Sequence, residues 1–153
     1  AGVRQHEVRQ AWRAWCLQRH ISSGRRDADL GCFGVHGYFS RIDWKATRAF
    51  CASGPAARAI STGASFSPAA LQNRIEEVAT SCIWPGCTAL GTFDHIAWCC
   101  PCRPHDVTIP PKPGEILSSR FGWVVAGSDV NSMLVQSWLV HVQTSLWSHV
   151  HSD

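Results

Sequence analysis

Hydrophobic positions recur along this chain mainly at three- and four-residue steps, the spacing of amphipathic helices. The first such stretch covers residues 5–21, whose apolar stripe consists of Val8, Ala11, Trp12, Trp15 and Cys16. A second covers residues 40–52, with an inner side of Ile42, Ala46, Ala49 and Phe50. The pattern predicts a mainly α fold, a small helical domain.

Glycine, proline and serine set the expected ends of the next helices. Gly54 interrupts the second helix, and a short helix is expected over residues 55–61. Ser67 is predicted to cap a further helix, because Pro68 fits the first helical position, where its missing N–H costs nothing. That helix is expected to run to about Thr80.

The last third of the chain begins with a proline-rich stretch. Residues 101–113 contain five of the eight prolines, which is typical of an extended, fairly stiff linker. A short helix is predicted over residues 114–121 and a last helix over residues 130–150, capped by Asp129. The predicted organisation is a helical domain over residues 1–100, a linker over 101–113 and a C-terminal helical segment over 114–153.

The predicted last helix carries no Asp, Glu, Lys or Arg between Val130 and Ser152. Its apolar residues spread around more than one side, so we expect one side in the core and another against a partner. Trp138 and Trp147 are the predicted partner contacts. A core helix with a polar, uncharged exterior is the alternative.

Composition and charge also favour a partner. Only 16% of the residues are charged and eight are Trp, as expected for a subunit whose surface is covered in an assembly.

The net charge is +3, but residues 1–26 hold six Arg and one Glu, which gives +5 and leaves −2 for the rest. This basic arm is predicted to contact RNA, DNA or an acidic protein, unless it is only a solvated helix face. Its candidate binding residues are Arg9, Trp12, Arg13, Arg25 and Arg26. No run of 18 apolar residues is present, so no transmembrane segment is predicted.

Cysteine and histidine cluster in one short stretch. Cys82 and Cys87 are followed by His95 and then by the adjacent Cys99 and Cys100. Three thiolates and one imidazole form a closed tetrahedral set for structural zinc, with no position left for a catalytic water. The sequence therefore predicts a zinc knuckle over residues 80–102; the alternatives are buried free thiols beside a core histidine, or a disulfide.

The fourth ligand is ambiguous from spacing alone. Cys99 lies four residues after His95, on the same face of a regular helix, whereas Cys100 turns inward only if that helix ends at Trp98. Pro85 and Gly86, between the first two cysteines, favour a tight turn that points both thiolates at one centre.

The pair of cysteines, an acidic residue at Asp94 and the H-x4-C-P pattern beginning at His95 resemble a known zinc knuckle. This known knuckle lies after the polymerase core in non-LTR (LINE-type) retrotransposon reverse transcriptases. The string Thr92–Trp98 and weaker matches in the flanks support the resemblance. It implies zinc ligands at Cys82, Cys87, His95 and Cys100, and contact with RNA or target DNA. The polymerase Asp pair and an endonuclease carboxylate cluster are missing, the usual C-x2-C is stretched, and basic residues near the knuckle are few.

We therefore expect a non-enzymatic, zinc-stapled accessory or scaffold subunit of a larger protein assembly, derived from a retroelement fragment. The alternative is a nucleic-acid-binding knuckle module of a retrotransposon-type reverse transcriptase. No cysteine–histidine pair lies in a recognisable catalytic motif, so an enzyme is not expected. The predicted location is intracellular, with an organelle assembly and the nucleus both open.

Overall fold

A computed structural model describes residues 41–71 and 79–151. The chain divides into two compact units, Ala1–Arg41 and Ile42–Asp153, and the described residues belong almost entirely to the second. The helix predicted over residues 5–21 lies outside the described residues. So do the predicted binding residues Arg9, Trp12, Arg13, Arg25 and Arg26.

The described residues form helices joined by irregular segments. Between 41 and 71 and between 79 and 151 they contain no strand, only the isolated antiparallel bridges Ile42–Val125 and Ser81–Leu90. The predicted mainly α fold is therefore confirmed. In chain order the helices are α1 (Trp44–Ala52), α2 (Pro55–Ser61), α3 (Pro68–Leu71), the π-helix π1 (His95–Cys99), α4 (Ile116–Phe121) and α5 (Ser132–Val150).

Helix α1 begins four residues later than predicted, and the predicted inner side is buried at Ile42 and Phe50 but not at Ala49. Asp43 caps it by accepting a 3.0 Å hydrogen bond from the backbone N–H of Ala46. Thr47 and Phe50 are buried, whereas Ala49, predicted on the inner side, is exposed. A polar residue can occupy this inner position because the Thr47 hydroxyl accepts a 3.1 Å hydrogen bond from the Val124 N–H.

Helix α5 has the predicted extent but a different cap. The side chain of Asn131, not Asp129, accepts a 3.2 Å hydrogen bond from the backbone N–H of Leu134. The predicted cap is therefore wrong by two residues. The helix begins at Ser132, and only the residue directly before it can place a side-chain oxygen on the free N–H groups of the first turn.

The core lies where α5 packs against α2 and π1. Trp138, predicted to contact a partner, is only 1% exposed and belongs to this core, so that prediction is wrong. The buried residues of α5 alternate at three- and four-residue steps and include Val135, Trp138, Leu139, Val142 and Leu146. Facing them are Ala57 and Ile60 of α2 and Ile96, Ala97 and Trp98 of π1.

The Pro-rich segment, residues 101–113, lies along this core instead of linking two parts. Pro110 and Pro113 are buried, and Val107 and Ile109 pack against the core cluster. A three-residue spacing brings side chains to the same side of an extended proline-rich chain. Among the described residues, those before the segment, such as Phe50 and Cys100, and those after it, such as Val135 and Leu146, thus share one core, and the boundaries predicted at 100 and 113 do not separate packed units.

The tryptophans explain much of this core. Of the six tryptophans in the described residues, four are buried, and each of the four donates its indole N–H to a backbone carbonyl at 2.8–3.0 Å. A buried indole needs such an acceptor. The pairs are Trp84 with Ile96, Trp98 with Ser119, Trp123 with Ser61, and Trp138 with Ala97. Four of the eight tryptophans, whose number was interpreted above as a sign of a covered surface, therefore lie in the interior. Across the described residues, every helix is too short or too polar to cross a membrane.

Candidate metal centre

The first two cysteines lie on a short hairpin-like segment. Its ends are joined by hydrogen bonds from the Cys82 N–H to the Ala89 carbonyl, 2.8 Å, and from the Gly91 N–H to the Thr80 carbonyl, 2.7 Å. Gly91 is required by this close approach, because a Cβ atom there would lie 2.6 Å from the backbone oxygen of Ser81. The backbone alone therefore holds both cysteines near one end of the segment.

The turn between these cysteines is the one predicted from Pro85 and Gly86. The Cys87 N–H donates to the Trp84 carbonyl at 3.1 Å, and Gly86 has φ +82°. A type II turn favours proline at the second of its four positions and, at the third, a glycine with a left-handed backbone conformation. The turn brings the Cys87 thiol back toward Cys82, as predicted.

The other two residues flank π1. The Cys100 N–H donates to the His95 carbonyl at 2.8 Å, a five-residue step in place of the four-residue step of an α-helix. Cys100 then adopts an extended conformation and is fully buried. Cys99 is exposed, and its Sγ donates to Asp94 Oδ2 at 3.3 Å. The regular-helix spacing that favoured Cys99 does not apply, because the turn is one residue wider.

The four predicted ligands come together. One donor atom from each of Cys82, Cys87, His95 and Cys100 lies within 4.8 Å of the others, so the group could hold a metal ion. Cys82 Sγ is 3.7 Å from Cys100 Sγ, and Cys87 Sγ is 3.3 Å from His95 Nε2. All are partly or fully buried, as expected of a structural site.

Backbone N–H groups stabilise the thiolate forms of the three cysteines. The Cys100 sulfur accepts a 3.4 Å hydrogen bond from the N–H of Cys102, two residues further on. The backbone N–H groups of Trp84 and Ala89, each two residues after a cysteine, likewise act to lower the pKa values of Cys82 and Cys87. Such bonds favour the charged sulfur and are typical support for a metal-bound thiolate.

The metal-free thiols differ in acidity. Burial raises the pKa of Cys82, and it raises that of Cys100 to about 12, because the surroundings solvate a charged sulfur poorly. The pKa of Cys87 is lowered to about 7, first by the N–H of Ala89 and then by His95. Cys87 is therefore the thiol best prepared to meet an incoming cation.

Buried tryptophans hold π1 in place. Its later carbonyls cannot all be satisfied within so short a helix. Trp84 Nε1 donates to the Ile96 carbonyl and Trp138 Nε1 to the Ala97 carbonyl, each at 2.8 Å. The two indoles also stack, with centroids 6.3 Å apart and planes 20° apart. The turn that carries His95 is thereby tied to helix α5.

Arg103 completes the support of π1. Its Nε donates to the Cys100 carbonyl at 2.8 Å, and Nη1 lies 3.3 Å from the Ala97 carbonyl. Sequence reasoning missed these supporting roles of Trp84, Trp138 and Arg103, because residue type gives no sign of which distant carbonyl a side chain will reach.

Of the predicted partner contacts within the described residues, only Trp147, 38% exposed, is on the surface.

Comparison of the chain with protein-family models, curated protein sequences and solved structures found no match. The resemblance to retrotransposon zinc knuckles therefore stays a prediction based on the motif.

Proposed function

We propose that this chain binds one structural zinc ion through Cys82, Cys87, His95 and Cys100. We further propose that the resulting domain is a non-enzymatic accessory or scaffold subunit of a larger protein assembly. The observation that carries the proposal is the convergence of three thiols and one imidazole, with donor atoms within 4.8 Å of one another.

The donor distances fit zinc. Zn–S bonds of about 2.3 Å and Zn–N bonds of about 2.0–2.1 Å, arranged tetrahedrally, separate two sulfurs by about 3.8 Å and a sulfur and a nitrogen by about 3.5 Å. The corresponding separations here are 3.7 Å for Cys82 and Cys100 and 3.3 Å for Cys87 and His95. Thiolate-rich sets also disfavour the hard ions Mg²⁺ and Ca²⁺, which prefer oxygen.

Metal content tests the zinc site. The protein, purified under reducing conditions without added chelator, is expected to contain about one zinc per chain by elemental analysis. Replacement by Co²⁺ is expected to give the visible absorption of a tetrahedral, thiolate-bound ion. Protein without zinc that also fails to give this spectrum would rule the site out.

Adjacent cysteines provide a matched pair of variants. Cys100→Ser is expected to lose most of the zinc, because Cys100 Sγ is fully buried beside Cys82 Sγ. Cys99→Ser, which replaces an exposed thiol, is expected to keep it. The reverse outcome would move the fourth ligand to Cys99.

The scaffold role is supported by the outer face of α5. Met133, Leu134 and Val150 are 78%, 39% and 50% exposed, and no residue from 132 to 150 is charged. Large apolar side chains exposed at both ends of an uncharged helix are costly to leave in water and are typical of a surface that meets another protein. Trp147 lies on the same helix and is the predicted partner contact that remains exposed.

Solution behaviour tests the scaffold role. The isolated chain is expected to self-associate as its concentration rises, and Met133→Lys with Leu134→Lys is expected to suppress association without loss of zinc. Light scattering after size-exclusion chromatography measures both. A wild-type chain that stays monomeric and soluble at high concentration would contradict a surface that needs a partner.

Nucleic-acid binding is the second candidate. Helices α1 and α2 expose Lys45, Arg48 and Arg58, and Asp43 is the one acid between residues 41 and 71. Binding through phosphates predicts an affinity for RNA or DNA that falls steeply with salt, and that weakens in Lys45→Gln with Arg48→Gln. Absence of binding at low salt would exclude this candidate and leave the zinc proposal untouched.

A further inference from the structure

A groove of about 400 Å³ lies between α2 and the end of α5, away from the metal ligands. Small alanines and Pro55 line much of it, Gly54 leaves part of its wall without a side chain, and Trp147 forms another part. The volume falls in the range of about 300–1,000 Å³ that is typical of small-molecule sites. The metal centre and the proposed zinc ion do not account for this feature.

Two side chains give the groove its chemistry. Trp147 is 38% exposed and is the one aromatic residue among the described residues of the lining. Arg58 is the one charged side chain among the described residues of the lining, and it is exposed. Within 41–71 and 79–151, the structure gives its guanidinium no hydrogen bond or ion pair, although the Arg58 carbonyl accepts from Thr62. A guanidinium with its fork of donors unused matches a planar anion.

We propose that this groove binds a small aromatic carboxylate, whose ring packs on Trp147 and whose carboxylate pairs with Arg58. The apolar lining requires an apolar body, and one guanidinium balances one negative charge. A carboxylate carries that single charge, whereas a phosphate monoester carries about 1.5 to 2 at neutral pH. Because the groove is a different surface from the zinc site, ligand binding in the groove can be tested independently of zinc binding.

The probes are 3-phenylpropionate and the uncharged 3-phenylpropanol, which have nearly the same shape. Binding to the zinc-loaded full chain is followed by the shift of the Trp147 indole N–H signal in ¹H–¹⁵N NMR spectra, assigned with Trp147→Phe. For a ligand this small we expect a Kd of the order of a few millimolar for the acid. The alcohol is expected to bind about five- to tenfold more weakly.

Three variants locate the site. Arg58→Gln is expected to bind acid and alcohol equally, because it removes the charge and leaves the apolar wall. Gly54→Leu is expected to weaken both ligands, since the extended backbone accepts any residue and a Cβ atom there meets no atom within 4 Å, which leaves room for a larger side chain. Lys45→Gln, an exposed cation of α1, is the control and should bind as wild type does. Unchanged zinc content and spectral dispersion show that each variant is folded.

Some results would overturn the proposal. Equal binding of acid and alcohol to the wild type would remove the role of Arg58, as would acid preference retained in Arg58→Gln. Shifts that rise linearly without saturation would mean that the groove has no specific occupant of this kind. Tighter binding of phenyl phosphate than of 3-phenylpropionate would replace the carboxylate with a phosphate.

Discussion

The link between Trp138 and the metal centre gives a quantitative prediction. Trp138→Phe keeps an aromatic ring in the core but removes the indole N–H that donates to the Ala97 carbonyl at 2.8 Å. It also leaves space beside the Trp84 ring, whose centroid is 6.3 Å away. The substitution therefore tests whether α5 positions the turn that carries His95.

Two contributions make up the expected loss in the free energy of unfolding. A lost hydrogen bond to a buried carbonyl costs about 1 kcal/mol, moderated here because Arg103 also approaches the Ala97 carbonyl at 3.3 Å. A cavity of about 40 Å³, at about 24 cal/mol per Å³, costs about 1 kcal/mol more. The free energy of unfolding should therefore fall by about 2 kcal/mol, a large part of the 5–15 kcal/mol that typical domains possess.

Zinc affinity should fall as well, because groups that orient metal ligands typically change affinity about 10- to 100-fold when removed. Urea denaturation at saturating zinc measures the first effect, and competition with a chromophoric chelator measures the second. Trp147→Phe is the control: this side chain is 38% exposed and, among the described residues, donates no hydrogen bond to π1, so the free energy of unfolding should change by no more than about 0.5 kcal/mol. If Trp138→Phe matches that control in both measurements, the indole does not support the metal centre.

Three further predictions concern the fold and the site. Gly91→Ala should destabilise the protein by about 1–3 kcal/mol and weaken zinc binding, because its Cβ atom would lie 2.6 Å from the Ser81 oxygen; wild-type zinc affinity would show that the hairpin adapts freely. Asn131→Ala should cost about 1 kcal/mol in thermal denaturation, whereas Asp129→Ala should cost little; equal losses would contradict the observed cap. Zinc affinity should fall as the pH is lowered from 8 to 6, because each cysteine ligand must lose its proton and the raised pKa of Cys100 keeps that thiol protonated in the metal-free protein; a pH-independent affinity in chelator competition would exclude thiolate ligation.

Local sequence determined much of what is seen near the metal centre. Pro85 and Gly86 specify their turn through their own backbone preferences, and this turn brings two cysteines together whatever the rest of the chain does. Apolar positions, together with the glycines and prolines between them, likewise predicted α1, α2, α4 and α5 to within a few residues at their ends. Such features depend on residues within one or two turns of each other, so the linear pattern contains them.

The choice of Cys100 required the three-dimensional structure. By spacing alone Cys99 was the better partner for His95, because a regular helix repeats every 3.6 residues. The wider π1 turn reverses this preference. It is held by the indoles of Trp84 and Trp138, and Trp138 lies on another helix, 41 residues along the chain from the Ala97 carbonyl that it binds. The motif resemblance also selected Cys100, but it gave no physical reason.

Tertiary packing also decided which tryptophans are buried and where the Pro-rich segment lies. Helix α5 is apolar on several sides. The sequence by itself therefore determined that part of this helix would be buried, but not which side would face the core. The contact with α2 and π1 places Trp138 inside and leaves Trp147 at the surface. Burial is a property of surfaces that meet across long chain separations, and a residue's own neighbours in sequence do not specify it.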